Sequence, residues 1–226
     1  MPESLADAGF LGPASALVLA YLLGSLSGSL ILGRIRQVDI RQRGSGNAGG
    51  TNALRTLGWR FALGVVLIDV GKGVAAALVP TWLGIDMPLL AWLEVACMMV
   101  AAAGHVWPVF FGFRGGKGAG TLVGGLAVVW PSALGVVLVT WLLVLFASGY
   151  VGLATILAAL SLLLVAAWEG TQAGALHWAL ALAGAGFITW THRANIVRLR
   201  EGRESRFEKI RLFARLRWLA RRRGGA

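Results

Sequence analysis

A glycine-rich segment near the end of the first quarter of the chain carries residue types suited to binding phosphate. It reads GSGNAGGTNALR over residues 44–55. Glycines let successive backbone N–H groups converge on one anion, and hydroxyl and amide side chains add further donors. A plain glycine turn between two helices is the alternative that this segment leaves open. The phosphate-binding candidates are Gly44, Ser45, Gly46, Asn47, Gly49, Thr51, Asn52 and Arg55.

A second segment repeats this combination of glycine and positive charge. Residues 104–121 read GHVWPVFFGFRGGKGAGT, and Lys117 stands among glycines, where an ammonium group suits an oxyanion. The spacing G-x-x-x-x-G-K-[ST] occurs in neither segment, so neither is a nucleotide-binding P-loop. The aromatic residues before Lys117 are typical of a membrane interface. The glycine candidates here are Gly115, Gly116 and Gly118.

A third polar segment, THRANIVRLREGRE, covers residues 191–204. On a continuing helix His192 and Asn195 share one face, with Arg198 beside them. A stop-transfer arginine cluster is the alternative, and we prefer it for Arg200 and Arg203.

The composition places these segments in a membrane protein. Of the 226 residues 57% are hydrophobic and 14% are charged, and the mean hydropathy is +0.73. This much apolar surface excludes a single soluble domain. Apolar runs, most near the ~20 residues that a membrane helix needs, cover residues 11–33, 61–83, 88–104, 119–147, 149–168 and 173–190. We predict an all-α polytopic membrane protein with one domain over 1–206 and a basic tail over 207–226.

The positive charges predict the topology. The net charge is +11, yet no lysine or arginine occurs between Gly118 and His192. The basic residues fall in three regions, Arg34 to Arg60, Arg114 with Lys117, and Arg193 to Arg223. By the positive-inside rule all three regions are cytoplasmic, so the charge indicates orientation and no nucleic-acid partner is expected. Because the chain must cross an even number of times between Lys117 and Arg193, we predict two short spans within 119–147 that turn near Pro131 to Gly135. One long span and a re-entrant piece would satisfy the same condition. The prediction is seven transmembrane helices, with an acidic N-terminus outside and the C-terminus in the cytoplasm.

Charged residues within the spans have structural interpretations. Asp69 and Lys72 are three residues apart in an apolar run and are predicted to pair, because an unpaired charge there is costly. Glu169 and His177 are expected to be solvated near the outer ends of their spans. Cys97 is the only cysteine, which excludes an intramolecular disulfide.

Together, SGNAGGTNALR, GHVWPVFFGFRGGKGAGT and HRANIVRLREGRE resemble the three motifs of the bacterial acyl-phosphate:glycerol-3-phosphate acyltransferases. Supporting matches are GSLSGSLILGR at 24–34, IDVGKG at 68–73 and SGYVGLATI at 148–156. The resemblance runs from the first span to Arg206. This chain has Ala48 and Gly50 where the family often has proline and alanine, and Gly152 and Thr155 where members can carry serine.

The resemblance implies transfer of a fatty acyl group from acyl phosphate to the 1-hydroxyl of glycerol 3-phosphate. The products would be lysophosphatidic acid and inorganic phosphate, formed on the cytoplasmic side of the bacterial inner membrane. The catalytic residues would be Ser45, Arg55, Lys117, His192 and Asn195, with Arg198 assisting in phosphate binding. The proton acceptor is left open between a substrate phosphate and His192.

The expected partners are the two substrates and membrane lipid, and the protein is expected to be a monomer. No cofactor or metal is expected, because the motifs contain no carboxylate cluster. The alternative is a membrane transporter of phosphate or an organic anion, although a transporter should place its glycines and charges at the membrane midplane.

The residue chemistry agrees with an activated acyl donor. The H-x-x-x-x-D motif of acyl-CoA-dependent acyltransferases is missing, because Phe110 and Val197 stand five residues after the two motif histidines. No serine or cysteine in the motifs is paired with a nearby base, so no covalent acyl-enzyme is expected. Positioning can supply ~7 to 11 kcal/mol and one oxyanion donor ~3 to 4 kcal/mol.

Overall fold

The computed structural model describes the backbone of residues 5–207 and the side chains of 12–207. Glu3 and the tail after residue 207 lie outside this part, so the predictions made for them stay predictions. The described residues form helices and turns. The helices are α1 (Leu5–Gly24), α2 (Gly28–Ile35), α3 (Gly50–Leu57), α4 (Trp59–Trp82), α5 (Leu90–Val106), α6 (Ala119–Val129), α7 (Pro131–Ser148), α8 (Val151–Glu169), α9 (Gly174–Thr191) and α10 (Arg193–Arg200).

Four helical segments of the described chain are long and apolar enough to cross a membrane, or five if the bent pair of α1 and α2 counts as one span. The prediction of an all-helical, multi-pass membrane protein is confirmed. One segment, Val151–Thr191, has 41 residues and would be about 60 Å long as a straight helix. It instead contains α8 and α9, which pack against each other across a short turn. The seven-span topology stays a prediction.

The chain breaks within 119–147, as predicted. Helix α6 ends at Val129 and α7 begins at Pro131. Proline fits the first turn of a helix because its missing N–H would have no partner there. Helix α6 is short, with 11 residues, but α7 continues through Gly135 for 18 residues. A short helix followed by a longer one is closer to the alternative of one long span and a re-entrant piece than to two short spans.

The described part of the chain forms two compact units, which divide after Pro131. In the first unit α4 lies against α1, α2, α3, α5 and α6. Its contact with α6 needs glycine on both helices. A Cβ at Gly73 would lie 2.0 Å from the carbonyl oxygen of Thr121, and one at Gly124 would lie 2.0 Å from that of Val70. Small residues let membrane helices approach this closely.

In the second unit α8 packs against α9 and α10. Helix α7 is tied to α8 by a hydrogen bond of 3.2 Å from Trp141 Nε1 to Thr155 Oγ1. The segment after α10 returns to the turn between α7 and α8. Phe207 N donates to Gly149 O at 2.9 Å and Arg206 Nε to Ser148 O at 2.8 Å. These bonds hold the end of the third predicted segment in place.

The first span is broken, which the continuous run 11–33 did not predict. Helix α1 ends at Gly24, α2 begins at Gly28, and the two are bent by 49°. A break inside a membrane leaves backbone groups that need partners. Lys72 Nζ donates to Gly24 O at 2.8 Å and to Leu26 O at 3.1 Å, and Asp69 Oδ1 accepts from Gly28 N at 3.0 Å.

The predicted pairing of Asp69 with Lys72 is confirmed, with 3.1 Å between Oδ1 and Nζ. The cation lies at the C-terminal end of α1 and the anion at the N-terminal end of α2. Both charges therefore oppose the partial charges of the helix ends that they contact.

Candidate active site

Asn52 organises the first glycine-rich loop. Its side chain is buried, and its Oδ1 accepts from Ser45 N at 3.0 Å. Its Nδ2 donates to the carbonyls of Ile40 at 3.2 Å, Arg43 at 2.9 Å and Asn47 at 3.1 Å. Because the whole amide is engaged inside the loop, Asn52 shapes the loop around the other candidates.

The glycines allow this loop to close over the amide. Gly44 and Gly46 have φ of 57° and 73°. A Cβ at Gly44 would lie 2.3 Å from Asn52 Oδ1, and one at Gly49 would lie 2.7 Å from Asn47 Nδ2. Gly44 is both left-handed and close to the amide, so this position requires glycine, whereas Gly49 is in extended backbone and is tight only by its contact.

The remaining candidates of the first loop lie at its surface and in α3. Ser45 is exposed, and Thr51 is half-buried in the first turn of α3. Arg55 is exposed on the second turn of the same helix. A hydroxyl and a guanidinium are thus held near the surface of the first unit by one short loop and one helix.

The second loop folds back on the end of α5. Gly115 N donates to Val106 O and Gly116 N to His105 O, both at 3.1 Å. These two N–H groups therefore hold the loop closed instead of pointing at a ligand. Lys117 is half-buried and precedes Gly118, whose φ of 82° starts α6.

The two loops meet at Gly116. A Cβ on Gly116 would lie 2.6 Å from the carbonyl oxygen of Ala48 and 2.2 Å from Nε2 of His105. Both Gly116 and Ala48 are buried. The structure therefore brings the first and second predicted segments together within the first unit.

Arg41 makes a second link between these segments. Its Nη1 donates to the carbonyls of Phe111 at 3.0 Å and Arg114 at 3.1 Å. Asp39 holds the guanidinium in place, with 2.8 Å between Oδ2 and Nη2. The hydrogen bond from Arg41 lowers the pKa of Asp39 below its ordinary value of 3.8, and the same bond raises the pKa of Arg41.

His105 lies in a buried polar cluster with Asp69 and Lys72, and the sequence analysis gave this histidine no role. Its Nδ1 lies 2.7 Å from Lys72 Nζ and 3.4 Å from Asp69 Oδ1. A hydrogen on Nδ1 would point into the ammonium group at the shorter distance, so Nδ1 accepts from Lys72. The neutral ring then carries its hydrogen on Nε2.

The third segment lies in the second unit. His192 is the junction between α9 and α10, and both it and Asn195 are buried. Nδ1 of His192 lies 2.9 Å from the carbonyl oxygen of Ile188. Because a carbonyl only accepts, Nδ1 carries the hydrogen and the lone pair of the neutral ring is on Nε2.

Glu204 orients two of the candidates. The chain turns after α10 at Gly202, whose φ is 67°. Glu204 Oε1 then accepts from Asn195 Nδ2, and Oε2 accepts from Arg198 Nε, each at 2.7 Å. The sequence analysis missed this residue. The sequence feature that could have indicated it is a carboxylate two residues after a glycine, within an otherwise basic segment.

Gly152 in α8 leaves room for Asn195, because a Cβ there would lie 2.7 Å from Asn195 Nδ2. Thr155, the other departure from the family pattern, donates its hydroxyl to Val151 O at 2.9 Å. That hydroxyl also accepts from Trp141, so it serves helix packing.

A cavity of about 490 Å³ lies beside the first basic region, but none of the predicted site residues is among those that line it. Arg34 in its wall is already engaged. The guanidinium lies 4.3 Å from the ring centre of Phe111 and donates to Phe110 O at 3.3 Å. The predicted phosphate-binding loops are therefore distinct from this cavity.

Comparison with known proteins identifies the family of the chain. The family model described as glycerol-3-phosphate acyltransferase matches residues 14–202. A glycerol-3-phosphate acyltransferase of Pseudomonas aeruginosa is 42% identical over 191 residues, covering 84% of this chain and 97% of the relative. Another, from Halalkalibacterium halodurans, is 42% identical and covers 83% and 91% of the two chains.

A solved structure supports the same assignment. The crystal structure of PlsY (YgiH), an integral membrane glycerol 3-phosphate acyltransferase in its glycerol 3-phosphate form, has a TM-score of 0.77 and 35% identity. It covers 86% of this chain and 95% of that one. The helical membrane fold and these matches together define a membrane-embedded acyltransferase. The chain belongs to the glycerol-3-phosphate acyltransferase family, which confirms the predicted family and enzyme class over a transporter.

Proposed function

We propose that the protein transfers a fatty acyl group from acyl phosphate to the 1-hydroxyl of sn-glycerol 3-phosphate, giving lysophosphatidic acid and inorganic phosphate. A second crystal structure of the related PlsY (YgiH) is of its lysophosphatidic acid form, which supports this product. The reaction takes place at the cytoplasmic face of a bacterial inner membrane, where the three basic regions are predicted to lie. The enzyme works as a monomer without a cofactor.

The observation that carries the choice of donor is the environment of His192. Acyl-CoA-dependent enzymes pair a histidine with an aspartate, whereas Nδ1 of His192 donates to the backbone carbonyl of Ile188. The H-x-x-x-x-D spacing is also missing after both motif histidines. A site of this kind suits a donor that is already activated, such as the mixed anhydride of an acyl phosphate.

The chain's residues divide into two roles. Ser45, Arg55 and Lys117 bind substrate phosphates with the loop residues around them, and Arg198 assists. His192 and Asn195 orient glycerol 3-phosphate. The hydroxyl oxygen attacks the acyl carbon, the bond from that carbon to the phosphate oxygen breaks, and inorganic phosphate leaves. The hydroxyl proton goes to a substrate phosphate or to Nε2 of His192.

Asn52, Gly115 and Gly116 have a supporting role in this proposal. Their hydrogen-bonding groups are engaged within the first unit, so they hold the loops that present the phosphate-binding side chains. Glu204 does the same for Asn195 and Arg198 in the second unit.

Purified protein tests the donor directly. It is given palmitoyl phosphate and labelled glycerol 3-phosphate, with palmitoyl-CoA as a parallel donor. The proposal expects labelled lysophosphatidic acid from the acyl phosphate alone, and unchanged activity in EDTA. Product from the CoA ester alone would refute the donor while leaving the family assignment intact.

Alanine at Arg55 or Lys117 tests the phosphate-binding role. We expect each variant to reach the membrane and to lose activity, because two anionic substrates then repel each other without a countercharge. Arg60→Ala and Arg114→Ala remove exposed positive charges from the same two regions and serve as controls. Rates near those of the unaltered protein in either test variant would contradict the assignment.

A further inference from the structure

The first unit contains a buried cluster that the proposed chemistry does not use. It consists of Asp69, Lys72 and His105, whose side chains are 7%, 4% and 4% exposed. Burial of two charges and an imidazole is costly unless each group has partners. Their partners lie in two places, which are the break in the first span and the end of α5.

Lys72 fixes the orientation of the histidine ring. The three hydrogens of its ammonium group are shared among four acceptors, which are the carbonyls of Gly24 and Leu26, Nδ1 of His105 and Oδ1 of Asp69. The 2.7 Å contact to Nδ1 is the shortest of them. Asp69 lies beside this group at 3.1 Å and balances its charge. The ring is thus held at Nδ1 by a group that is itself fixed by the break.

The opposite edge of the ring faces the second glycine loop. A Cβ on Gly116 would lie 2.2 Å from Nε2 and 3.1 Å from Cδ2 of His105, so the ring edge lies directly against this glycine. The backbone carbonyl of His105 also accepts from Gly116 N. Gly116 in turn lies against the carbonyl of Ala48 in the first loop. One side chain therefore connects the buried ion pair to the point where the two loops meet.

We propose that His105 is a positioning residue for acyl transfer: its ring, oriented by Lys72, holds Gly116 against the first loop and thereby fixes the neighbouring Lys117. This inference rests on the proposed function, because it takes Lys117 as a substrate-binding group. Displacement of a binding group by about 1 Å can lower a rate by roughly 100-fold. The rigid buried ring lies against Gly116, the residue before the lysine, and so supplies the support that such a group needs.

Two substitutions at His105 test the two edges of the ring one at a time. His105→Asn keeps a polar atom at the position of Nδ1, two bonds beyond Cβ, and removes the edge that meets Gly116. His105→Gln extends one bond further and keeps an amide on the Gly116 side. His177→Asn in the second unit is the matched control, because that histidine pairs with Glu169 and has no part in the proposed site.

The readouts are KM for each phosphate substrate, kcat with palmitoyl phosphate, and the thermal midpoint in detergent. For His105→Asn we expect KM for at least one substrate to rise roughly tenfold or more, with a thermal midpoint close to that of the unaltered protein. For His105→Gln we expect KM values nearer the original and a lower thermal midpoint, because Lys72 loses its acceptor. The control should change neither quantity.

KM is independent of the fraction of folded enzyme, so the test holds even where a variant is partly unfolded. A rise in KM in both variants also supports positioning, through both edges of the ring. Unchanged KM for both substrates in both variants, or a rise in His105→Gln alone, would overturn the proposal. If His105→Asn yields no folded protein, Gly116→Ala takes its place, because a Cβ there meets the same edge of the ring: a raised KM for either substrate supports the proposal, and unchanged KM values overturn it. The unaltered protein tests the proposed function separately, since a lack of product from acyl phosphate there refutes the reaction whatever the variants do.

Discussion

His105 and His192 hold their hydrogens on opposite ring nitrogens, and the difference comes from one neighbour of each. Lys72 donates to Nδ1 of His105, whereas the Ile188 carbonyl accepts from Nδ1 of His192. The first ring is thereby suited to structural support, and the second keeps a basic lone pair on Nε2. Sequence motifs contain both histidines in similar settings and do not distinguish them, because the deciding partners are distant in sequence or belong to the backbone.

Glu204→Gln tests the support of the third segment. The substitution removes the charge facing Arg198 and replaces one of two buried acceptors by a donor. Charge-assisted hydrogen bonds of this kind contribute about 1.5 to 3 kcal/mol, so kcat/KM should fall roughly 10- to 100-fold. Steady-state kinetics in detergent measures the change.

The control for this variant is Glu201→Gln, three residues earlier. Glu201 pairs with Arg203, and both side chains are exposed. An exposed pair contributes little, so its loss should leave kcat/KM within about twofold of the original value. Equal effects of the two substitutions would show that Glu204 has no special role.

At the scale of helices, hydrophobicity predicted most elements and missed the break in the first span. Helices α4, α5, α8 and α9 lie within a few residues of their predicted runs. Residues 24–28 are apolar or small, so hydropathy continues across them although the helix does not. The partners that stabilise the break are 41 to 48 residues away in sequence, beyond the reach of local patterns.

The pair that stabilises the break should be non-additive. Asp69→Asn or Lys72→Met leaves one buried charge unpaired, which typically costs about 3 to 5 kcal/mol. The double variant restores neutrality and should cost less than the sum of the two, although the carbonyls of Gly24 and Leu26 still lose a donor. Thermal unfolding in detergent of the four proteins measures the coupling, and additive losses would argue against a functional pair.

At the scale of the whole chain, the distribution of charge is the strongest topological signal. Lysine and arginine are missing over more than seventy consecutive residues and then recur, and the positive-inside rule predicts from this that the basic regions lie on one side. The close approach of the first and second loops could not be predicted from this distribution, because it depends on the lack of a side chain at Gly116, where a Cβ would lie 2.6 Å from the carbonyl oxygen of Ala48.

Cysteine labelling tests the orientation. Cys97 is the only cysteine and is buried, so Cys97→Ala provides a background without thiols. In this background Gln172→Cys, between α8 and α9, should react with a membrane-impermeant maleimide from outside the cell. Gln42→Cys should react only in inverted vesicles. Both positions are exposed in the structure, and labelling of both from the same side would exclude the predicted topology.

The ion pair in α4 also bears on how the protein is made. A charged residue at the centre of an entering helix costs about 2.5 to 3.5 kcal/mol on insertion scales. The carbonyls of Gly24 and Leu26 and the N–H of Gly28 leave the ribosome before α4 does, so both charges find their ligands already in the bilayer. His105 follows 33 residues after Lys72. We therefore expect the bent first span to bind α4 as this helix inserts, with the histidine completing the cluster afterwards.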